Sequence, residues 1–190
     1  RKQGIAASIA QNELMNTTEV LLVLACLKFL LNEYDSLAVA EILRFAAEMP
    51  LADIVHARLD YLQQRSEADS SSTEGDSPKT NTSNRWGSEH PYIQMLNALR
   101  PLSRERSVSE IVHLLLEKLQ LRRLLATWEE PTKCIANVDK LRFYAQTYED
   151  SCLQLQSAAT LGGFILWLQQ QNRLQRDAQA EDSLADAVQV

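Results

Sequence analysis

Apolar side chains recur every three or four residues through most of this chain, the spacing that lines them up on one face of a helix. The densest run lies in residues 137–170. There Val138, Leu141, Tyr144, Ala145, Tyr148, Cys152 and Leu155 share a face, Gln156, Ser157 and Ala158 interrupt it, and Thr160 is placed to cap a second helix carrying Leu161, Phe164, Ile165 and Leu168. Two helices around a common apolar seam are predicted. Nearer the start, Asn16 or Thr17 caps a first helix with Glu19 at its positive end and Val20, Val23, Leu24, Leu27, Leu30 and Leu31 facing inward. The run from Val20 to Leu27 is continuously apolar, but Lys28, Glu33 and Asp35 follow too soon for a membrane span, so it reads as a central core helix.

Asp35 caps the next helix, with Leu37, Ala40, Ile42, Leu43 and Phe45 inward and Met49-Pro50 at its end. A third helix covers residues 51–64 with Ile54, Val55, Leu59 and Leu62 as its inner face. Residues 67–88 then turn rich in Ser, Thr, Asp and Asn, with too little apolar surface to offset ordering entropy. They are predicted to form a long mobile polar loop, with Trp86 either anchoring its far end or simply folding back onto the nearest helix. A short helix over residues 92–99 buries Ile93, Leu96 and Leu99 and stops at Pro101. Ser107 and Glu110 form an S-x-x-E capping box ahead of Ile111, the clearest local start signal in the chain. Leu114, Leu115 and Leu119 continue that helix, and Leu121, Leu124 and Leu125 extend it or begin a short second turn. Residues 172–181 are polar and extend the last helix into solvent, while residues 1–8 form an irregular or briefly extended lead-in.

Composition narrows the fold class. With 190 residues and 45% hydrophobic content the chain can bury one core without metals or disulfides. Only five glycines and five prolines favour helices over a sheet with many turns, so the expectation is all-α: one multi-helix domain over residues 1–190. Three cysteines, Cys26, Cys134 and Cys152, are too few and too scattered for a disulfide framework or a four-cysteine metal site, which suits a reduced cytoplasmic setting. No leader pattern opens the chain, and Arg1 begins abruptly, as an excised fragment would. No repeat at solenoid spacing is present.

Candidate chemistry is sparse. No G-x-x-x-x-G-K-[ST] stretch exists, so no ATP hydrolysis is expected of this chain alone. Gly162-Gly163 at a helix start reads better as close packing than as a phosphate site. His56, His90 and His113 are far apart, the cysteines lack a neighbouring base, and the pairs Glu129-Glu130 and Glu149-Asp150 read as solvated surface. No catalytic, metal-binding or cofactor-binding residue is assigned. The net charge of -6 opposes bulk coating of a nucleic acid, but Arg100, Arg104, Arg106, Arg122 and Arg123 could form local phosphate contacts, salt-sensitive and indifferent to sequence. Lys140 and Arg142 read instead as covering the edge of the apolar stripe.

Residues 137–170 resemble a segment of the UvrD-, RecB- and AddA-like superfamily 1 DNA helicases, in which an Asn opens a helix and a leucine-rich helix ending near a Trp follows. The matching residues are Asn137, Leu141, Phe143, Tyr148, Leu161, Phe164 and Trp167. Residues 8–44 are similar to the family's lead-in to its inserted helical domain, where a short strand precedes a Thr-x-Glu-Val step, here Thr17, Glu19 and Val20, and a buried helix. The apolar run at residues 187–190 stands where the family's chain returns to a strand of the motor domain. The resemblance implies a 2B-like accessory domain within a bacterial ATP-dependent DNA helicase or helicase-nuclease, a hydrolase of DNA repair and recombination. It implies ATP and Mg in the parent protein, duplex DNA, the motor domains of the same chain and a nuclease subunit as partners, and no membrane. A helical protein-interaction module, taking a partner on the Ser-rich loop, is the competing expectation.

Overall fold

The computed structural model describes residues 7–8, 14–71, 85–173 and 188–189. Among them are eight α-helices: α1 (Thr18–Leu31), α2 (Ser36–Phe45), α3 (Leu51–Ser71), α4 (Pro91–Leu99), α5 (Val108–Lys118), α6 (Leu121–Leu125), α7 (Pro131–Gln154) and α8 (Leu161–Arg173). The domain is all-α. Two residues at each end, β1 (Ala7–Ser8) and β2 (Val188–Gln189), pair in parallel, with Ala7 opposite Val188 and Ser8 opposite Gln189. No helix among the described residues is long and apolar enough to cross a membrane.

Helix α1 is the hub. It packs against α2, α4, α5, α7 and α8, and burial extends almost all the way round it, from Val20, Leu22 and Val23 to Cys26, Leu27 and Phe29. A helix apolar on every side is stable in water only when other helices enclose it. The continuous run therefore predicts the centre correctly, although no single face is selected: Leu22 is fully buried while Leu31 is 47% exposed.

The helix starts follow local chemistry. Asp35 Oδ1 accepts from Ala38 N at 3.0 Å, and Thr160 Oγ1 accepts from Gly163 N at 3.0 Å. Ser107 and Glu110 close the expected capping box. Thr17 occupies the cap of α1, but its hydroxyl turns back to donate to Leu14 O at 2.9 Å. Gln120, in the left-handed region at φ 47°, separates α5 from α6, so the short second turn is the outcome. Glu149 corrects a surface assignment. From α7 its carboxylate accepts from Ser109 N at 2.8 Å and Ser109 Oγ at 2.7 Å, which places a negative charge at the amide-rich start of α5.

Other expectations fail for want of a neighbour. Helix α3 continues to Ser71, so the first part of the expected polar loop is helical; residues 72–84 lie outside the described residues. At the loop's far end residues 85–88 form a turn on α2. Gly87 sits there at φ 76°, where an added Cβ would stand 2.8 Å from Val39 Cγ1, and Trp86 packs against the core. The inner face assigned to α3 is wrong: Ile54 is buried, but Val55, Leu59 and Leu62 are 45–51% exposed because α3 packs chiefly against α2. Leu37 of α2 is likewise exposed, and Ala38 and Val39 are buried in its stead.

Helix α7 starts at Pro131, the helix position that best tolerates proline, and not at Asn137, which is buried in the helix interior. Leu155 lies beyond its last turn and is exposed. The α7–α8 seam forms as expected around Tyr148, Phe164 and Trp167. Of the residues that carry the helicase resemblance, Asn137, Leu141, Tyr148, Leu161 and Phe164 are buried, Trp167 packs on the core and Phe143 is exposed. Residues 174–181 of the expected polar extension lie outside the described residues.

Candidate nucleic-acid interface

The five arginines singled out above fall into three settings. Arg100 follows the last turn of α4 and points back to the end of α1, where its Nε donates to Leu30 O at 3.4 Å and its guanidinium pairs with Glu33. Most of its side chain is covered. It serves the fold before any ligand.

Arg104 and Arg106 stand in the exposed connection between α4 and α5. They line a cleft of about 380 Å³ whose other walls are Leu30 and Leu31 of α1, Val108 and Ile111 of α5, and the start of α8 at Thr160, Leu161 and Gly162. Arg106 lies 3.8 Å from Glu110, a loose pairing at an exposed site that leaves the guanidinium accessible. Two cations beside the amide ends of a helix suit a phosphate diester better than either does alone.

Arg122 and Arg123 lie on α6, in a different cavity of about 500 Å³ bounded by α5, α6 and α7. Its floor is aliphatic, from Leu116, Leu121, Leu125, Ile135 and Val138. On the rim Arg122 Nη2 donates to both oxygens of Asp139 at 3.0 and 3.1 Å, and Arg142 approaches the same carboxylate at 3.5 Å. The acidic partner draws off much of the charge that a phosphate would use. These two arginines line a different cavity from the pair at 104 and 106.

Cys26 and Cys134 sit where their thiols hold their protons. A cavity of about 770 Å³ between the starts of α1 and α7 contains Glu19, Cys134 and Asn137. Burial, with Glu19 beside it, pushes the Cys134 thiol up to about 11, so it stays protonated near neutral pH. Cys26 is fully buried and its thiol is raised further by desolvation. Among the described residues no group of three or more His, Cys, Asp or Glu could hold a metal ion. Gly163 meets Tyr148 Oη so closely that an added Cβ would overlap it, which makes it a packing glycine, as the sequence suggests. No family model matches the chain, and neither does any curated protein.

Three further arginines escape a reading along the sequence. Arg58 and Arg65 of α3 and Arg85 of the following turn meet across a cleft of about 130 Å³ with Tyr34, Tyr61 and Trp86. Arg65 and Arg85 stand 20 positions apart in the chain, so no local run of charge marks the group. The one legible signal is Trp86 beside Arg85 after a polar stretch.

Proposed function

We propose that this chain is the helical accessory domain of an ATP-dependent DNA helicase of the UvrD-, RecB- and AddA-like kind, and that it contacts duplex DNA or gates its unwinding. The supporting observation is the parallel pairing of Ala7–Ser8 with Val188–Gln189. It brings both ends of a helical body to one place, the geometry needed by a domain inserted between two strands of a host. The resemblance over residues 8–44 and 137–170 supplies the identity of that host. In this reading the ATP and Mg sites belong to the motor domains of the parent, the parent works in the cytoplasm, and this domain acts by binding and reorientation.

The test is duplex binding by fluorescence anisotropy at low and moderate salt, with wild type compared with Arg104→Ala/Arg106→Ala. Salt-sensitive binding that falls in the double variant is expected, since each lost phosphate contact also lowers the salt dependence. Equal binding by both would remove Arg104 and Arg106 from the interface. No wild-type binding at low salt would remove the duplex contact altogether.

A second reading, a protein-interaction module, draws on α3. Leu51, Val55, Leu59 and Leu62 form an apolar stripe on that helix and are 45–65% exposed. Apolar positions at such spacing suit a partner helix or groove. Capture of a partner subunit that is lost in Leu59→Glu while DNA binding is unchanged would favour it.

A further inference from the structure

Six arginines of this acidic chain, Arg58, Arg65, Arg85, Arg100, Arg104 and Arg106, lie around one end of α1. Arg104 and Arg106 share a cleft with Leu30 and Leu31, Arg100 reaches Leu30 O, and immediately beyond the helix Glu33 and Tyr34 border the cleft that holds Arg58, Arg65 and Arg85. The carbonyl end of a helix is its negative pole, which favours cations there. Glu33 pairs with both Arg85 and Arg100, so the carboxylate at the centre is already matched by two guanidinium groups.

What distinguishes the second cleft from the first is its aromatic content. Arg58 lies over the rings of Tyr61 and Trp86, 5.3 and 5.1 Å from their centroids, which fixes both rings against α3. Arg85 covers one face of Tyr34 at 5.0 Å, and Tyr34 remains 66% exposed. Arg65 is exposed at the rim. Phosphates of a closed duplex need cations but no exposed ring, because paired bases keep their faces inside the stack. An exposed ring within a cluster of guanidinium groups matches a strand whose bases are free.

We infer that Tyr34 and Arg65, backed by Arg58, Arg85 and Trp86, bind an unpaired base and a phosphate of single-stranded DNA where it leaves a duplex held by Arg104 and Arg106. The second half of that statement rests on the duplex contact proposed above; the aromatic patch stands on its own geometry. The aliphatic cavity beneath Arg122 has no ring to stack on and two carboxylates, Glu117 and Asp139, in its lining, so it is the poorer place for a strand.

Three fluorescein-labelled probes decide the matter with the whole chain at low salt: an oligothymidylate, a blunt duplex, and the same duplex with a single-stranded tail. Wild type should bind the tailed duplex about tenfold more tightly than the blunt one, the gain that a stacked base supplies. Tyr34→Ala/Arg65→Ala should erase that increment and weaken oligothymidylate binding while leaving blunt-duplex affinity within about twofold. Tyr34→Phe should restore it, because the ring and not the hydroxyl stacks. Both positions are exposed, and an unchanged far-UV circular dichroism melt confirms that each variant is folded. If the tail adds nothing in wild type, or the increment survives Tyr34→Ala/Arg65→Ala, the patch is overturned while duplex binding can stand. If oligothymidylate binds through Tyr34 but the blunt duplex does not bind, the duplex contact falls and the patch stands. If no probe binds, both fall.

Discussion

Asn137 donates its side-chain amide to Glu19 Oε1 at 2.6 Å, tying the middle of α7 to the first turn of α1 across 118 residues of chain. Both groups are buried, at 1% and 4% exposure. A buried carboxylate that loses a donor bears the full cost of its desolvation. Asn137→Ala should therefore lower unfolding stability by about 2 kcal/mol, the range for hydrogen bonds to charged groups, read as a lower urea midpoint at unchanged slope. A change within about 0.5 kcal/mol would mean that water replaces the amide at no cost.

The two adjacent glycines of α8 should behave oppositely. An added Cβ at Gly162 would rest 3.9 Å from Leu31 Cδ1, an ordinary contact, so Gly162→Ala should gain about 0.5–1 kcal/mol from helix propensity. At Gly163 the same methyl overlaps Tyr148 Oη, and that ring is held between α7 and α8 against Phe164 and Trp167. Gly163→Ala should lose about 1–3 kcal/mol despite the same propensity gain. Thermal melts of the two variants, displaced in opposite directions from wild type, are the expected result.

Glu149 caps a helix other than its own. Removing its carboxylate leaves Ser109 N without an acceptor and takes a negative charge from the start of α5. Glu149→Ala should cost about 1–2 kcal/mol, as for other lost caps, whereas Asp150→Ala, one residue on and exposed, should cost less than about 0.5 kcal/mol. Chemical denaturation of the pair separates a cap from a solvated carboxylate.

Much of this architecture is legible locally. Asp35, Ser107 and Thr160 announce their helices because a cap is satisfied within three residues, and the run at Val20 to Leu27 marks the centre because no helix so apolar can face water. Period says which residues share a face but not whether anything covers it. That is why Val55, Leu59 and Leu62 are assigned inward by spacing and stand exposed in the fold. Long-range partners leave no local trace: Glu19 with Asn137, Ser109 with Glu149, and the arginines that the chain gathers at the end of α1. Candidate contacts chosen by runs of charge consequently include Arg100, which the fold occupies with Glu33, and pass over Arg65, which stands exposed at the rim of the cleft beside Tyr34.

His90 gives the domain a dependence on acidity. Its Nδ1 accepts from Tyr92 N at 3.3 Å at the start of α4, which requires an unprotonated ring nitrogen. Burial holds the His90 pKa below its usual 6.5. The unfolded chain therefore binds more protons than the folded one between the folded pKa and 6.5, so this contribution is full above pH 6.5 and is lost as pH falls through the folded pKa. His90→Asn keeps a capping side chain and removes the titration. The difference in urea midpoint between the two proteins should be constant above pH 6.5 and should shift in favour of the variant below it.

Enclosure of α1 by five other helices sets how the molecule breathes. The amide protons of its middle turns have no route to solvent through fraying of one neighbour, so they should exchange only when the entire domain opens, and their slowest rates measure the global unfolding free energy. The outer turns of α3, docked along one side only, should exchange orders of magnitude sooner. One deuterium experiment would thus rank the helices by depth and show that the arginine-bearing rim moves on a far faster clock than the rod it surrounds.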